Sequence, residues 1–326
     1  MADIDACDDK TAPLLAIVGP TATGKTDVSV LAAQKLGAEI ISADSMLVYR
    51  HMDIGTAKPT AGERGGVAHH MIDVVDPDEE YNVAIYSEQV GGICEGILKR
   101  NKLPLLVGGT GLYVKAVVDG YSFSEAGTDP GLRLRLQKEC ESMGREALHH
   151  KLGQVDPETA ARLHVNDVKR VIRALEVYYL TGQTISAGSG RRCQDRERLI
   201  IFGLTMDRGE LYARIEKRVD RMIAHGLVDE VRRLLEKGYS EKMTSMQGLG
   251  YKEIILYLKG ILSLEEAVEL LKKRTRNFAK RQLTWFRRDN RIRWIDVNGR
   301  KTADVAAEIT AKAEGVFKPA SNELNK

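Results

Sequence analysis

The run Leu14-Leu15-Ala16-Ile17-Val18 leads directly into Gly19-Pro20-Thr21-Ala22-Thr23-Gly24-Lys25-Thr26. An apolar run without polar alternation predicts a strand buried on both faces, and the residues after it follow the spacing G-x-x-x-x-G-K-[ST] of a phosphate-binding loop. Glycines let successive backbone N–H groups turn inward onto phosphate oxygens, Lys25 brings a mobile positive charge, and Thr26 offers a hydroxyl to Mg²⁺. A helix beginning at about residue 25 points its positive dipole end at the same anion. Gly19, Thr21, Ala22, Thr23, Gly24, Lys25 and Thr26 are therefore the candidate phosphate-binding residues, with Thr26 also the candidate metal ligand. The loop alone leaves open whether the phosphates belong to a nucleotide.

Outward from the loop, strand and helix alternate. A helix is expected over 25–36, a strand at Glu39-Ile40-Ile41-Ser42, a helix around 82–100 and a strand at Leu103-Pro104-Leu105-Leu106-Val107. Such alternation predicts an α/β fold, a P-loop NTPase-like parallel sheet core with helices on both faces. The apolar runs at 199–204 and 292–297 read as further strands of that sheet. Residues 122–198 are charged and helical in pattern, notably 130–142 and 167–180, and form a helical insertion domain in a core made of 1–121 and 199–326. Within it, the glycine-rich, basic stretch 186–198 reads as a mobile loop. In open parallel sheets ligands bind beyond the carboxyl ends of the strands, so the turns at Gly19, at Asp44-Ser45 and at Gly108-Gly109-Thr110-Gly111 should converge on one crevice.

Composition bounds the rest. With 326 residues and 43% hydrophobic content, the chain fills one large domain with an insertion, or two modest ones. A net charge of +3 is mild, so a polyanionic partner must be met by a local patch. Cys7, Cys94, Cys140 and Cys193 are scattered without a C-x-x-C pair, which argues against a zinc site or disulfide scaffold. The first twelve residues resemble neither a secretory signal nor a transit peptide, and no apolar run has the length of a membrane span. A cytoplasmic, soluble protein is expected.

The local patch lies near the C-terminus. Ser263-Leu264-Glu265-Glu266 fits a capping box, and helical periodicity continues to about Arg288. Leu264, Ala267, Val268, Leu271, Phe278, Trp285 and Phe286 fall on one side, while Lys272, Lys273, Arg276, Lys280 and Arg287 line another. From 272 to 293 there are ten Lys or Arg residues and one acid, Asp289, an imbalance suited to nucleic acid phosphates. Near the loop, Asp44 is a candidate general base, an N-cap or an Mg²⁺ ligand. Thr110 is placed to donate to a phosphate oxygen. Arg214 and Arg218, at i and i+4, either clamp a diphosphate or form a solvated face with Glu216 and Asp220. His69 and His70 are adjacent, a poor chelating pair; a structural or substrate-orienting role fits them better.

Taken together, the loop, Ser42-Ala43-Asp44-Ser45-Met46-Leu47-Val48-Tyr49, Met52-Asp53-Ile54-Gly55-Thr56-Ala57-Lys58-Pro59 and Leu106-Val107-Gly108-Gly109-Thr110-Gly111-Leu112-Tyr113 resemble the tRNA dimethylallyltransferases, bacterial type. The likeness continues through Asn166-Asp167-Val168-Lys169-Arg170-Val171-Ile172-Arg173-Ala174-Leu175-Glu176, Gln247-Gly248-Leu249-Gly250-Tyr251-Lys252-Glu253 and Ala279-Lys280-Arg281-Gln282-Leu283-Thr284-Trp285-Phe286-Arg287. It implies transfer of a dimethylallyl group from dimethylallyl diphosphate to N6 of adenosine 37 in tRNAs that read codons beginning with U. Asp44 then accepts the N6 proton, Thr110 contacts the diphosphate, and Lys25 and Arg218, with Arg214 nearby, neutralise the leaving group. Thr26 helps hold Mg²⁺. The tRNA anticodon stem-loop is expected to meet Asp44, Ser45, Met46, Leu47, Thr110, Arg133, Lys169, Arg170, Arg173, Gln247, Gly250, Tyr251, Lys252, Lys280, Arg281, Gln282, Trp285 and Arg287, on a monomer with no membrane partner. Leu47, where many members carry Gln, and Ala68, where Pro is usual, depart from the pattern. A free adenine-nucleotide isopentenyltransferase and a P-loop small-molecule kinase are the alternatives; the basic helix argues against the first.

Overall fold

A computed structural model describes residues 12–121, 127–188 and 198–317. The chain begins with β1 (Leu14–Val18), α1 (Lys25–Leu36), β2 (Ala38–Ala43), β3 (His69–His70), α2 (Val83–Lys99), β4 (Leu103–Gly108) and α3 (Gly111–Val118). Five helices follow: α4 (Pro130–Met143), α5 (Arg145–Val155), α6 (Pro157–Arg162), α7 (Val168–Thr181) and α8 (Ile185–Gly188). The chain then continues through β5 (Leu199–Thr205), α9 (Arg208–Ala224), α10 (Leu227–Glu236), α11 (Tyr251–Leu258), α12 (Leu264–Phe286), β6 (Ile292–Asp296) and α13 (Thr302–Phe317). It divides into two compact units, Met1–Val118 with Asp195–Lys326, and Asp119–Gln194.

The first unit holds a six-stranded, all-parallel sheet in the order β3-β2-β4-β1-β5-β6. β1 lies inside it, and all five of its residues are fully buried, as its unbroken apolar run requires. Leu15 and Ile17 pack into one cluster with Val28, Ala32 and Ala33 of α1 and Ile309 of α13. Leu14, Ala16 and Val18 pack into a second with Tyr86 and Val90 of α2 and Tyr113 of α3. The expected sheet with helices on both faces is therefore present. β3 was not foreseen: its two residues pair with Ile40 and Ile41 at the sheet edge and carry no apolar run to betray them.

Local chemistry sets the helix ends. Gly37 closes α1 in the left-handed conformation. Asn82 caps α2 by accepting from the N–H groups of Ala84 and Ile85, and Ser263 and Glu266 form the expected capping box of α12. In the second unit, Asp129 accepts from Leu132 N just before Pro130 opens α4. Its core is formed by Leu132, Leu136, Leu148, Leu152, Val171 and Leu175. No strand occurs among the described residues of this unit. Most of the stretch expected as a mobile loop, 186–198, lies outside the described residues.

Candidate active site

The phosphate loop connects β1 to α1. Gly24 sits in the left-handed region at φ 80°, a conformation its missing Cβ makes accessible, and turns the chain into the first turn of α1. Ala22 adopts φ 66°, strain of about 1 kcal/mol or more that functional loops tolerate when their surroundings hold them. Thr23 Oγ1 and Lys25 Nζ both donate to Pro20 O, at 2.9 and 2.6 Å, which fixes the loop on itself. Burial and the neighbouring Arg218 guanidinium lower the Lys25 pKa from 10.5 to about 7, against the opposing pull of Asp44. An anion bound beside it would favour the charged amine. Thr26 is exposed at the start of α1, with no internal partner for its hydroxyl among the described residues. An accessible hydroxyl beside an anion site suits Mg²⁺, a hard cation that prefers oxygen.

Two further turns meet this loop. Thr110 N donates to Ala43 O at 3.1 Å, and Ser45 N donates to Thr110 Oγ1 at 3.0 Å, so the turns after β2 and β4 are tied together beside the carboxyl ends of the strands. Asp44 Oδ1 accepts from Met46 N at 2.9 Å, a local turn that fixes the side chain and leaves Oδ2 for other work. The turn after β4 also lies against the phosphate loop, where a Cβ added at Gly109 would be 3.3 Å from Gly19 O.

Arg218 reaches the site from α9. Burial lowers its pKa, Asp44 opposes that effect, and Nη2 donates to Thr56 O at 3.4 Å. Arg214 does not join it in a symmetric clamp: its Nε is paired with Glu210 at 2.8 Å, one turn back on the same helix. The carbonyl that receives Arg218 belongs to a loop held by a residue sequence reading missed. Glu230, on α10 and 4% exposed, accepts from the N–H groups of Asp53, Ile54 and Gly55 at 3.0, 2.8 and 3.0 Å and from Tyr251 Oη at 2.8 Å. Nothing local marks it, since an acid in an amphipathic helix ordinarily faces water. A buried donor left without a partner costs about 1–3 kcal/mol, so Glu230→Ala should lower stability by about 3 kcal/mol or more. Chemical denaturation midpoints check this; a loss below about 1 kcal/mol would show that the loop does not depend on the carboxylate.

On α12, tertiary structure revises the cationic stripe. Lys272 pairs with Asp220, Arg274 with Glu253 and Arg276 with Glu216, so three of the four cations over 272–276 meet acids from α9 and α11. Glu216 and Asp220, read in sequence as neighbours of Arg214 and Arg218, serve this helix instead. Lys273, Lys280, Arg281, Arg287 and Arg288 are exposed and have no ion-pair partner among the described residues. A cleft of about 550 Å³ lies alongside, lined by Gln247, Lys252, Asn277 and Arg281 over Leu249 and Leu256. The residues that the resemblance places against tRNA differ in exposure. Tyr251 is fully buried, with its hydroxyl on Glu230, and Gly250 is buried beside it. Gln282 is also buried: its carboxamide accepts from Thr21 N at 2.9 Å and donates to Gly109 O at 2.9 Å. Trp285 packs over Gly111, where an added Cβ would lie 2.2 Å from the indole, so only glycine lets α12 seat against α3.

In the second unit, the fully buried Glu176 carboxylate binds Asp129 N, Arg133 and Arg173. Burial alone would raise its pKa, but the two guanidinium hydrogen bonds outweigh this and hold it below the usual carboxylate range. Arg133 and Arg173 are therefore engaged internally along part of their hydrogen-bonding fork. Arg170 pairs with Asp167, and Lys169 is exposed. His70 binds Glu39, which also accepts from Arg100 and Lys102, at the opposite end of β2 from Asp44. No cluster of potential metal-ligating His, Cys, Asp and Glu side chains occurs among the described residues.

A phosphate loop, a carboxylate and a threonine turn lie together at the carboxyl ends of the strands, with the half-buried cations Lys25 and Arg218 beside them, the make-up of a group-transfer site. Comparison with known proteins narrows the class. The profile of the IPP transferase family matches residues 47–289, and that of isopentenyl transferase matches 12–73. The chain is 56% identical to the tRNA dimethylallyltransferase of Pelotomaculum thermopropionicum over 95% of its own length and 99% of the relative's. It is 59% identical to that of Desulforudis audaxviator, covering 87% and 92% of the two chains. Its fold is similar to the crystal structure of the full-length tRNA isopentenylpyrophosphate transferase from Bacillus halodurans, at 45% identity and TM-score 0.68 over 93% and 97% of the chains. It is also similar to a eukaryotic dimethylallyltransferase acting on tRNA, at 29% identity and TM-score 0.79 over 95% and 81%. The chain belongs to the IPP transferase family and is a prenyltransferase of the tRNA-modifying kind.

Proposed function

We propose that the protein transfers the dimethylallyl group of dimethylallyl diphosphate to N6 of adenosine 37 in the anticodon stem-loop of tRNAs reading codons that begin with U. The observation that carries this reading is the convergence of the Asp44 and Thr110 turns on the phosphate loop, in a chain whose relatives are named for this activity. N6 attacks C1 of the dimethylallyl group, the C1–O bond breaks, and diphosphate leaves with the bonding electrons. The exocyclic amine of adenine is a weak nucleophile, so Asp44 takes its proton as the new C–N bond forms. Lys25, Arg218 and the loop N–H groups stabilise charge on the departing diphosphate, with Thr110 donating to it once its hydroxyl turns from Ser45. Thr26 would hold Mg²⁺, which supplies further charge neutralisation when bound. Arg214, with its Nε held by Glu210, keeps its Nη groups for the diphosphate.

The target base must leave its stack to enter the crevice, which fits a single-stranded loop. Exposed Lys280, Arg281 and Arg287 suit its phosphates, and Lys252 and Gln247 extend the proposed RNA surface of the first unit; in the second unit, exposed Lys169 and Arg170 are themselves suited to phosphates. Asp44, Ser45, Met46 and Leu47 would face the base itself. Among the described residues no helix is long and apolar enough to cross a membrane. Cys94 and Cys140 lie outside any disulfide, in keeping with a reducing cytoplasm.

The test uses radiolabelled dimethylallyl diphosphate, Mg²⁺ and either unmodified tRNA or AMP. Label should enter tRNA; label entering AMP and not tRNA would overturn the proposal in favour of a free-nucleotide enzyme. Reversing charge at Lys280 and Arg287 together should raise KM for tRNA and reduce the slope of log affinity against log salt by about one for each phosphate no longer neutralised. An unchanged slope would remove these residues from the RNA surface.

A further inference from the structure

The Gln282 carboxamide occupies an unusual place for a residue of a long basic helix. Its Oε1 takes the N–H of Thr21, the third residue of the phosphate loop, and its Nε2 is anchored on Gly109 O in the turn that carries Thr110. Both ends of the amide are satisfied, the side chain is 6% exposed, and a Cβ added at Gly109 would lie 2.2 Å from Nε2. The group therefore fills the space between the two turns and removes one N–H from the anion-binding set. In a loop of this type the backbone N–H groups cradle the phosphates nearest the loop, and the lysine reaches toward the next. Here Lys25 Nζ is folded back onto Pro20 O, beside the occupied Thr21 N–H.

We propose that Gln282 is a specificity-determining residue that limits the phosphate loop to two phosphates and excludes a triphosphate. The inference rests on the reading of this loop as a diphosphate holder. The N–H groups of 22–26 and Lys25 remain for a diphosphate. A third phosphate would have to displace a buried carboxamide, strip Thr21 N and Gly109 O of their partners, and set its charge against the negative end of the amide dipole. A group that uses ordinary phosphate-loop chemistry thereby avoids the nucleoside triphosphates that such loops commonly take.

Calorimetry with inorganic pyrophosphate and inorganic tripolyphosphate, each with Mg²⁺, tests this on the full chain. The wild type should bind pyrophosphate at least about tenfold more tightly, although the longer anion carries more charge and simple electrostatics would favour it. Gln282→Ala should bring the two affinities within about threefold, chiefly by gaining tripolyphosphate binding. Equal or tighter wild-type binding of tripolyphosphate overturns the role of Gln282 even if Gln282→Ala fails to fold, and leaves the diphosphate reading standing. Binding of neither anion overturns both.

Discussion

Asp44→Asn is expected to lower kcat for prenyl transfer to tRNA by about 10²–10⁴-fold, the usual worth of a positioned general base. The substitution keeps an oxygen to accept from Met46 N, so the turn after β2 and its tie to Thr110 should survive. KM for dimethylallyl diphosphate should change little when measured near pH 6.5, where Lys25 carries most of its charge. A fall in kcat and kcat/KM together is the signature of a group that acts only in the transition state. Steady-state kinetics with labelled substrate reads both parameters, and activity within about threefold of wild type would remove Asp44 as the base.

Lys25→Met should cost about 10²–10³-fold in kcat by taking a preorganised charge from the leaving group. It should also abolish a pH dependence. In the folded protein without ligand the Lys25 pKa is lowered to about 7 by burial and by Arg218, whereas the unfolded chain holds that proton up to about 10.5. Between these limits the unfolded state binds more protons, so the Lys25 contribution to stability rises with pH across about 7 to 10.5, and the buried ammonium is destabilising below that window. A bound diphosphate reverses the preference, because it favours the charged amine. Diphosphate binding above about pH 7 must therefore take up a proton, and affinity should fall by up to tenfold per pH unit there. Calorimetry in buffers of different ionisation enthalpy measures the uptake. Proton uptake that persists undiminished in Lys25→Met would assign it to another group.

The same two residues mark how far the sequence could be read. Lys25 and Asp44 each stand immediately beyond a strand, and strand ends in a parallel sheet share one edge, so their neighbourhood follows from periodicity and topology. Gln282 and Glu230 offer no such cue. Gln282 lies in a helix whose basic composition draws attention to its surface, while its own amide bonds to residues 261 and 173 positions away. Glu230 holds a loop about 175 residues distant through hydrogen bonds that no local pattern encodes. The basic run on α12 shows the reverse error. Charge counted along the chain suggested one continuous cationic stripe, but Asp220, Glu216 and Glu253 pair with Lys272, Arg276 and Arg274 from neighbouring helices. Sequence-local charge overstates a field whenever the counter-charges arrive from elsewhere.

From the sequence by itself came the buried β1 strand, the phosphate loop, the alternation that makes a parallel sheet, and the helical character of the described residues between 127 and 188. These depend on short-range sterics, on hydrogen bonding within a few residues and on hydrophobic period, all local to the chain. Only the tertiary structure decided which cations of α12 are ion-paired, why Arg214 and Arg218 part company, and what takes the N–H at the third position of the loop. Those outcomes rest on pairings between distant residues, in which burial makes each unmatched charge or N–H costly and the fold chooses the partner.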